Sequence, residues 1–178
     1  DGAAVARLLG DAPTVTSEGR AYPVTRHYLA RDPDGLDLNV AVRVVLTALD
    51  RHAGDLLVFL PGGDEIRRLQ QRLAAEPAGA GLALIPLHGD LSGDAQQRAI
   101  QPDPGGRRKI VLATNIAETS LTIEGVSVVV DVGWSRVPRF DPRSGLTRLD
   151  TVRVSADAAD QRAGRAGRLG PGTCYRLW

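Results

Sequence analysis

The residues best suited to chemistry form a short run, Gln161-Arg162-Ala163-Gly164-Arg165-Ala166-Gly167-Arg168, in which three arginines recur at every third position. On a helix, positions i and i+3 share a face, so Arg162, Arg165 and Arg168 can point toward one surface while Gly164 and Gly167 leave room for close backbone approach. Such a surface suits a chain of phosphates. In phosphoryl transfer, guanidinium groups stabilise the charge that builds on the γ-phosphate and the leaving oxygen, and are worth about 10³ to 10⁵ in rate. Gln161 beside them could position an attacking water. The same spacing also suits a solvated basic helix end whose arginines counter the helix dipole.

A second run, Thr114-Asn115-Ile116-Ala117-Glu118-Thr119-Ser120-Leu121-Thr122-Ile123-Glu124-Gly125, is rich in hydroxyls and follows the apolar stretch Lys109 to Ala113. If that stretch is a parallel strand, the run begins at its carboxyl end, where α/β folds place ligands. Hydroxyls and free backbone N–H groups there suit phosphate oxygens without reading bases. Turn and helix-cap roles account for the same residue types.

The elements that would position these runs are legible in the hydrophobic pattern. Apolar runs alternate with amphipathic stretches, which predicts parallel strands with crossover helices, an α/β fold. Asp37 can cap a helix with Val42, Val45, Leu46 and Leu49 on one face, and Asp55 to Leu60 reads as a buried strand ended by Pro61-Gly62-Gly63. Ile66, Leu69 and Leu73 mark the next helix, Leu82 to Leu87 the next strand, and Ser92 can cap a helix to about Ile100. Lys109 to Ala113 and Val126 to Val132 are expected as central strands. From Trp134 to Val154 two alternating segments flank Asp141-Pro142-Arg143-Ser144-Gly145, which predicts a β-hairpin. Ser155 can cap a helix to about Ala166, and Gly172 to Leu177 returns as a strand.

Composition narrows the class. At 178 residues, 43% hydrophobic and 24% charged, the chain fits one globular core. No apolar run approaches the roughly 20 residues that cross a bilayer, so no membrane partner is expected. Cys174 is the only cysteine, which excludes an internal disulfide and is compatible with a reducing cytoplasm; His27, His52 and His88 are too scattered to suggest a metal. The net charge of +1 hides a segregation, because residues 134–168 carry eight basic against four acidic side chains. Lys109 is the only lysine, a bias that favours bidentate phosphate contacts or reflects a GC-rich genome. The amino end, without initiator Met, basic stretch or apolar signal core, reads as a boundary inside a longer protein.

The arginine run matches motif VI of the DEAH-box helicases, Q-R-x-G-R-x-G-R, at every specified position, and the hydroxyl-rich run resembles their motif V, A-T-N-I-A-E-T-S-L-T-I. Leu57 to Ile66 is similar to motif IV, and Leu87-His88-Gly89-Asp90-Leu91-Ser92 to the RNA-contacting turn that follows it. Phe140-Asp141-Pro142-Arg143 with Thr147-Arg148-Leu149 resembles the β-hairpin of the bacterial HrpB type, and residues 1–20 resemble the stretch after the first RecA-like domain. The resemblance implies a RecA-like, P-loop NTPase-type three-layer α/β/α fold with a mainly parallel sheet and an inserted β-hairpin. Residues 1–20 would be a linker and the end of the preceding RecA-like domain, and residues 21–178 the second RecA-like domain, with the hairpin at about 134–154.

By the same resemblance, Arg165 and Arg168 would be arginine fingers, Gln161 would contact the γ-phosphate or lytic water, and Ser120, Thr122, Glu124 and Arg162 would face the nucleotide. For Arg162 a structural role is the alternative. Many relatives carry Asp where this chain has Glu124, whose longer side chain could still reach a ribose hydroxyl. Thr114, Asn115, Thr119, Gly62, Gly89 and Arg143 would contact RNA. ATP and Mg²⁺ would be held mainly by the preceding domain, because this sequence contains no Gly-Lys-Thr/Ser loop and no Asp-Glu-Ala-His; Lys109 is followed by Ile110. The chain alone is therefore expected to hydrolyse no ATP, and its partners would be RNA, the preceding domain and the following accessory domains in a bacterial cytoplasm. A non-catalytic RNA-binding or partner-docking domain and a DNA helicase are the alternatives.

Overall fold

The apolar runs become strands buried on both faces. The structure, a computed structural model, describes residues 2–14, 22–118 and 122–178. In chain order the elements are α1 (Gly2–Leu8), β1 (Val24–Tyr28), α2 (Leu38–Arg51), β2 (Asp55–Phe59), α3 (Gly63–Ala75), β3 (Leu82–Leu87), α4 (Gly93–Ile100), β4 (Arg108–Ala113), β5 (Val126–Asp131), β6 (Trp134–Asp141), β7 (Leu146–Arg153), α5 (Ala156–Gly164) and β8 (Gly172–Arg176). Six strands form one sheet in the order β1-β8-β5-β2-β4-β3, and every pairing in it is parallel. Both β4 and β5 lie inside it, as expected. Strands β6 and β7 form a separate antiparallel ribbon.

Alternation along each strand divides the core into two. Leu56, Val58, Ile110, Leu112, Val128 and Val130 face one side and pack with Ala41, Val45 and Ala48 of α2 and Ile66, Leu69 and Leu73 of α3. Leu57, Phe59, Val111, Ala113, Val129 and Cys174 face the other, against Ala99 of α4 and Ala163 and Ala166 around the end of α5. The result is the three-layer RecA-like α/β/α architecture. The polar residues expected to start helices do so: Asp37 accepts from the Asn39 and Val40 amides, Ser92 from Ala95 and Ser155 from Ala158.

Two elements depart from the pattern. Strand β1 gives no apolar run, because its edge position leaves Thr25, Arg26, His27 and Tyr28 exposed. Helix α5 stops at Gly164, and Arg165–Gly167 continue as a 3-10 turn instead of reaching Ala166 as α-helix. The ribbon leaves β5 and returns to α5 at one place: Trp134 pairs with Arg153, and the Val154 N–H donates to the Gly133 carbonyl at 3.0 Å.

Candidate functional site

Because the strands run parallel, the loops after β2, β3 and β4 emerge at a single edge. Leu60 N–H donates to the Ala113 carbonyl at 2.8 Å and Thr114 N–H to the Leu87 carbonyl at 3.1 Å, which ties the three strand ends together. Gly62, Gly89, Thr114 and Asn115 therefore gather there. Gly62 is buried at the N-cap of α3, and a Cβ on it would lie 2.5 Å from Arg136 Nη1, so the glycine makes room for the base of the ribbon. Arg136 in turn donates to Glu65 at 3.2 Å.

From Thr114 the chain turns through a short 3-10 segment, Asn115–Ala117. Buried Ala117 and Ile123 pack in one cluster with Phe59 and Val126. Glu124 and Gly125 lie at the opposite edge, where Glu124 N–H donates to the Ile100 carbonyl and the Gly125 carbonyl accepts from Asp55 at the start of β2, both at 3.0 Å. Thr122 and Glu124 are thus separated from Thr114 and Asn115 by the depth of the sheet. Thr119 and Ser120 lie outside the described residues. Arg143 is exposed at the ribbon tip, where Asp141 accepts from its N–H at 2.9 Å and from the Ser144 hydroxyl at 2.9 Å, bonds that hold the Asp141 carboxyl below its ordinary pKa. Phe140, Leu146 and Leu149 are exposed beside it.

Helix α5 presents Gln161 to solvent, and one and two turns later Arg165 and Arg168 follow on that side. Arg165 is half-buried and its Nη2 donates to the Glu118 carbonyl. Burial first, then the nearby Arg168 charge, lower its pKa from the ordinary value, with Glu118 opposing. Arg168 is exposed and Nη1 donates to the Thr122 hydroxyl at 3.2 Å.

Arg162 corrects the expectation that the three arginines share one surface. Its side chain is fully buried: Nη1 donates to Asp131 Oδ1 at 2.8 Å and to the Trp134 carbonyl at 3.3 Å, Nε to Glu118 Oε1 at 2.7 Å, and the guanidinium stands 4.9 Å from the centre of the Phe59 ring. The reason is geometric. At 3.6 residues per turn each i+3 step in an α-helix rotates by about 60°, so a run of such steps drifts off one face, and the face carrying Ala159, Arg162 and Ala163 is the one packed on the sheet. A guanidinium held by two carboxylates is structural, and Gln161, Arg165 and Arg168 are the members of the run that lie on the outer side of α5 and its 3-10 extension. The glycines divide likewise. A Cβ on Gly167 would lie 2.5 Å from the Tyr22 carbonyl oxygen, whereas Gly164 has nothing within 4 Å.

Two residues that the sequence reading did not single out, Glu118 and Asp131, organise this junction. Asp131 ends β5 fully buried; burial raises its carboxyl from the ordinary value, while Arg162 and the Gly133 N–H, 2.9 Å from Oδ1, pull it down. A carboxylate closing the apolar run Val126-Ser127-Val128-Val129-Val130 demands a buried cation, and that was the available signal. Among the described residues no group of three or more His, Cys, Asp and Glu could hold a metal ion, and no helix is long and apolar enough to cross a membrane.

Comparison with known proteins gives consistent matches. The helicase conserved C-terminal domain family matches residues 37–170. The chain is 54% identical over 172 residues to the ATP-dependent RNA helicase HrpB of Escherichia coli (strain K12), an alignment covering 96% of this chain and 21% of that protein. Two solved structures are similar to it throughout. The E. coli DExH-box NTPase HrpB gives a TM-score of 0.84 at 51% identity, covering 97% of this chain and 21% of the other. The Escherichia coli DEAH/RHA helicase HrpB gives 0.87 at 50% identity, covering 99% and 22%. The chain thus spans about a fifth of the length of these relatives.

Proposed function

This chain belongs to the helicase conserved C-terminal domain family, and from that premise we propose that it serves as the second RecA-like domain, over residues 21–178, of an HrpB-type ATP-dependent RNA helicase. Residues 1–20 are the linker and the end of the preceding RecA-like domain. The observation that carries this reading is the row Gln161, Arg165 and Arg168 along one side of α5 and its 3-10 extension, a cationic edge that can close a nucleotide pocket whose other wall lies on the preceding domain.

The residues fit a polyphosphate and not its metal. Guanidinium and amide donors suit phosphate oxygens, whereas the Mg²⁺ ligands are assigned to the preceding domain. ATP bound there supplies the transferable phosphoryl group. Arg165 and Arg168 meet the charge that develops on it, Gln161 orients the attacking water, and Ser120, Thr122 and Glu124 contact the nucleotide. Thr114, Asn115, Gly62 and Gly89, at the strand-end edge, hold the RNA backbone, as does Thr119, and Arg143 at the ribbon tip meets RNA where the strands part. Contacts of this kind are independent of sequence and weaken with salt.

The test is Arg165→Ala in the full-length protein. Saturating-RNA ATP turnover is expected to fall by about 10³-fold or more with ATP affinity largely retained. Turnover within two-fold of the parent would refute the finger role. The 178-residue chain alone, which lacks a Walker loop, serves as the inactive control.

A further inference from the structure

We infer that Glu118 is the positioning residue for Arg165, an inference that rests on the reading of Arg165 as an arginine finger. Two arginines one turn apart converge on Glu118. Its carboxylate accepts a hydrogen bond from Arg162 Nε at 2.7 Å and forms an ion pair with Nη2 at 2.6 Å, and its backbone carbonyl accepts from Nη2 of Arg165. Arg162 is a fixed point, being fully buried, held by Asp131 at 2.8 Å and stacked over Phe59. The Glu118 side chain is therefore clamped to the interior, and the clamp sets the direction of the carbonyl that holds Arg165.

The need for such a device follows from the finger itself. Arginine has many rotamers, and a group that acts on developing charge must be held in place before the reaction. A hydrogen bond from the guanidinium to a fixed carbonyl contributes to this. Glu118 also closes the turn that starts at Thr114, since its N–H donates to the Asn115 carbonyl at 2.9 Å. The residue that orients the finger is thus one turn from the proposed RNA contacts, and Arg162 also binds the carbonyl of Trp134, the first residue of the ribbon.

A merely structural Glu118, needed only to neutralise Arg162, makes a different prediction, and a double-mutant cycle in the full-length protein separates the two. The variants are Glu118→Gln, Arg165→Ala and their combination, with kcat and KM for ATP measured at saturating RNA. Glu118→Gln keeps the shape and an acceptor, and Asp131 remains to balance Arg162. On the positioning role it lowers kcat by about ten-fold with KM little changed, and costs nothing further once Arg165 is alanine. The proposal is overturned if Glu118→Gln leaves kcat intact, or if it costs the same factor in both backgrounds. If Arg165→Ala itself retains full turnover, the finger reading falls, and this inference with it. Should Glu118→Gln fail to fold, Glu118→Asp takes its place in the same cycle: it keeps the charge on Arg162 but shortens the clamp, and the same non-additivity is required of it.

Discussion

Replacing Arg162 by methionine probes the junction on which the arginine row depends. The change keeps an unbranched side chain over Phe59 and removes the cation between Asp131, fully buried and 2.8 Å away, and Glu118, at 2.6 Å. Removing one partner of a buried pair costs about 3–5 kcal/mol. Loss of the contact with Phe59 adds about 0.5–2 kcal/mol, of which a thioether restores about 0.3–1.5. The net cost is therefore about 3–5 kcal/mol, a large share of the roughly 5–15 kcal/mol that holds a domain together. For a urea slope of roughly 2 kcal/mol/M it lowers the unfolding midpoint by about 2 M.

The pH dependence identifies the cause. Burial already raises the Asp131 carboxyl above its ordinary value, and Arg162 opposes that rise. Without Arg162 the folded-state pKa climbs further above its unfolded value of about 3.9. In the window between the two, the folded state binds the proton more tightly, so stability falls as pH rises. The deficit of the variant is thus largest at pH 8 and shrinks as the pH is lowered through the raised Asp131 value. Urea unfolding of the 178-residue chain, followed by circular dichroism from pH 5 to 8, measures both. Adding Asp131→Asn and Glu118→Gln should recover most of the loss, because an uncharged buried cluster has no unpaired ion. A midpoint change under about 0.5 M, equal at pH 5 and 8, would show that Arg162 does not balance a desolvated Asp131.

Two further outcomes are expected. Burial, reinforced by the Asp131 charge, pushes the Cys174 thiol up to about 12, so at pH 8 a disulfide reagent should label it only at the rate of unfolding; a fast phase in the folded protein would contradict this. Gly167→Ala places a Cβ against the Tyr22 carbonyl and the Val24 side chain and should cost about 1–3 kcal/mol in urea unfolding, whereas Gly164→Ala, with open space around it, should be neutral or stabilising by about 0.4–1 kcal/mol. Equal effects at the two glycines would place α5 differently on the sheet.

The central strands were legible because a strand buried on both faces is an apolar run whatever its neighbours, and Leu56 to Phe59, Ile110 to Ala113 and Val128 to Val130 carry that signature. Helix starts were legible through Asp37, Ser92 and Ser155, whose caps are local hydrogen bonds. Strand β1 was not, since at a sheet edge the sequence Val24-Thr25-Arg26-His27-Tyr28 has little to bury. The candidate site divides in the same way. The identities and spacing of the arginines announced phosphate chemistry, but their directions depend on how α5 sits on the sheet. Arg162 turns inward because Asp131, 31 residues earlier, and Glu118, 44 residues earlier, await it. No periodicity within the run itself carries that information.

The ribbon has a consequence for how this fold can change over time. Its two strands leave and re-enter the domain between Gly133 and Val154, already joined by a hydrogen bond, and among the described residues its polar ties to the body through Trp134, Arg136 and Arg153 are at the base. The outer portion, residues 137–150, can lengthen, shorten or be exchanged for a tight turn without disturbing the strand order beneath. Selection on whatever this projection touches is thereby uncoupled from selection on the machinery that carries it.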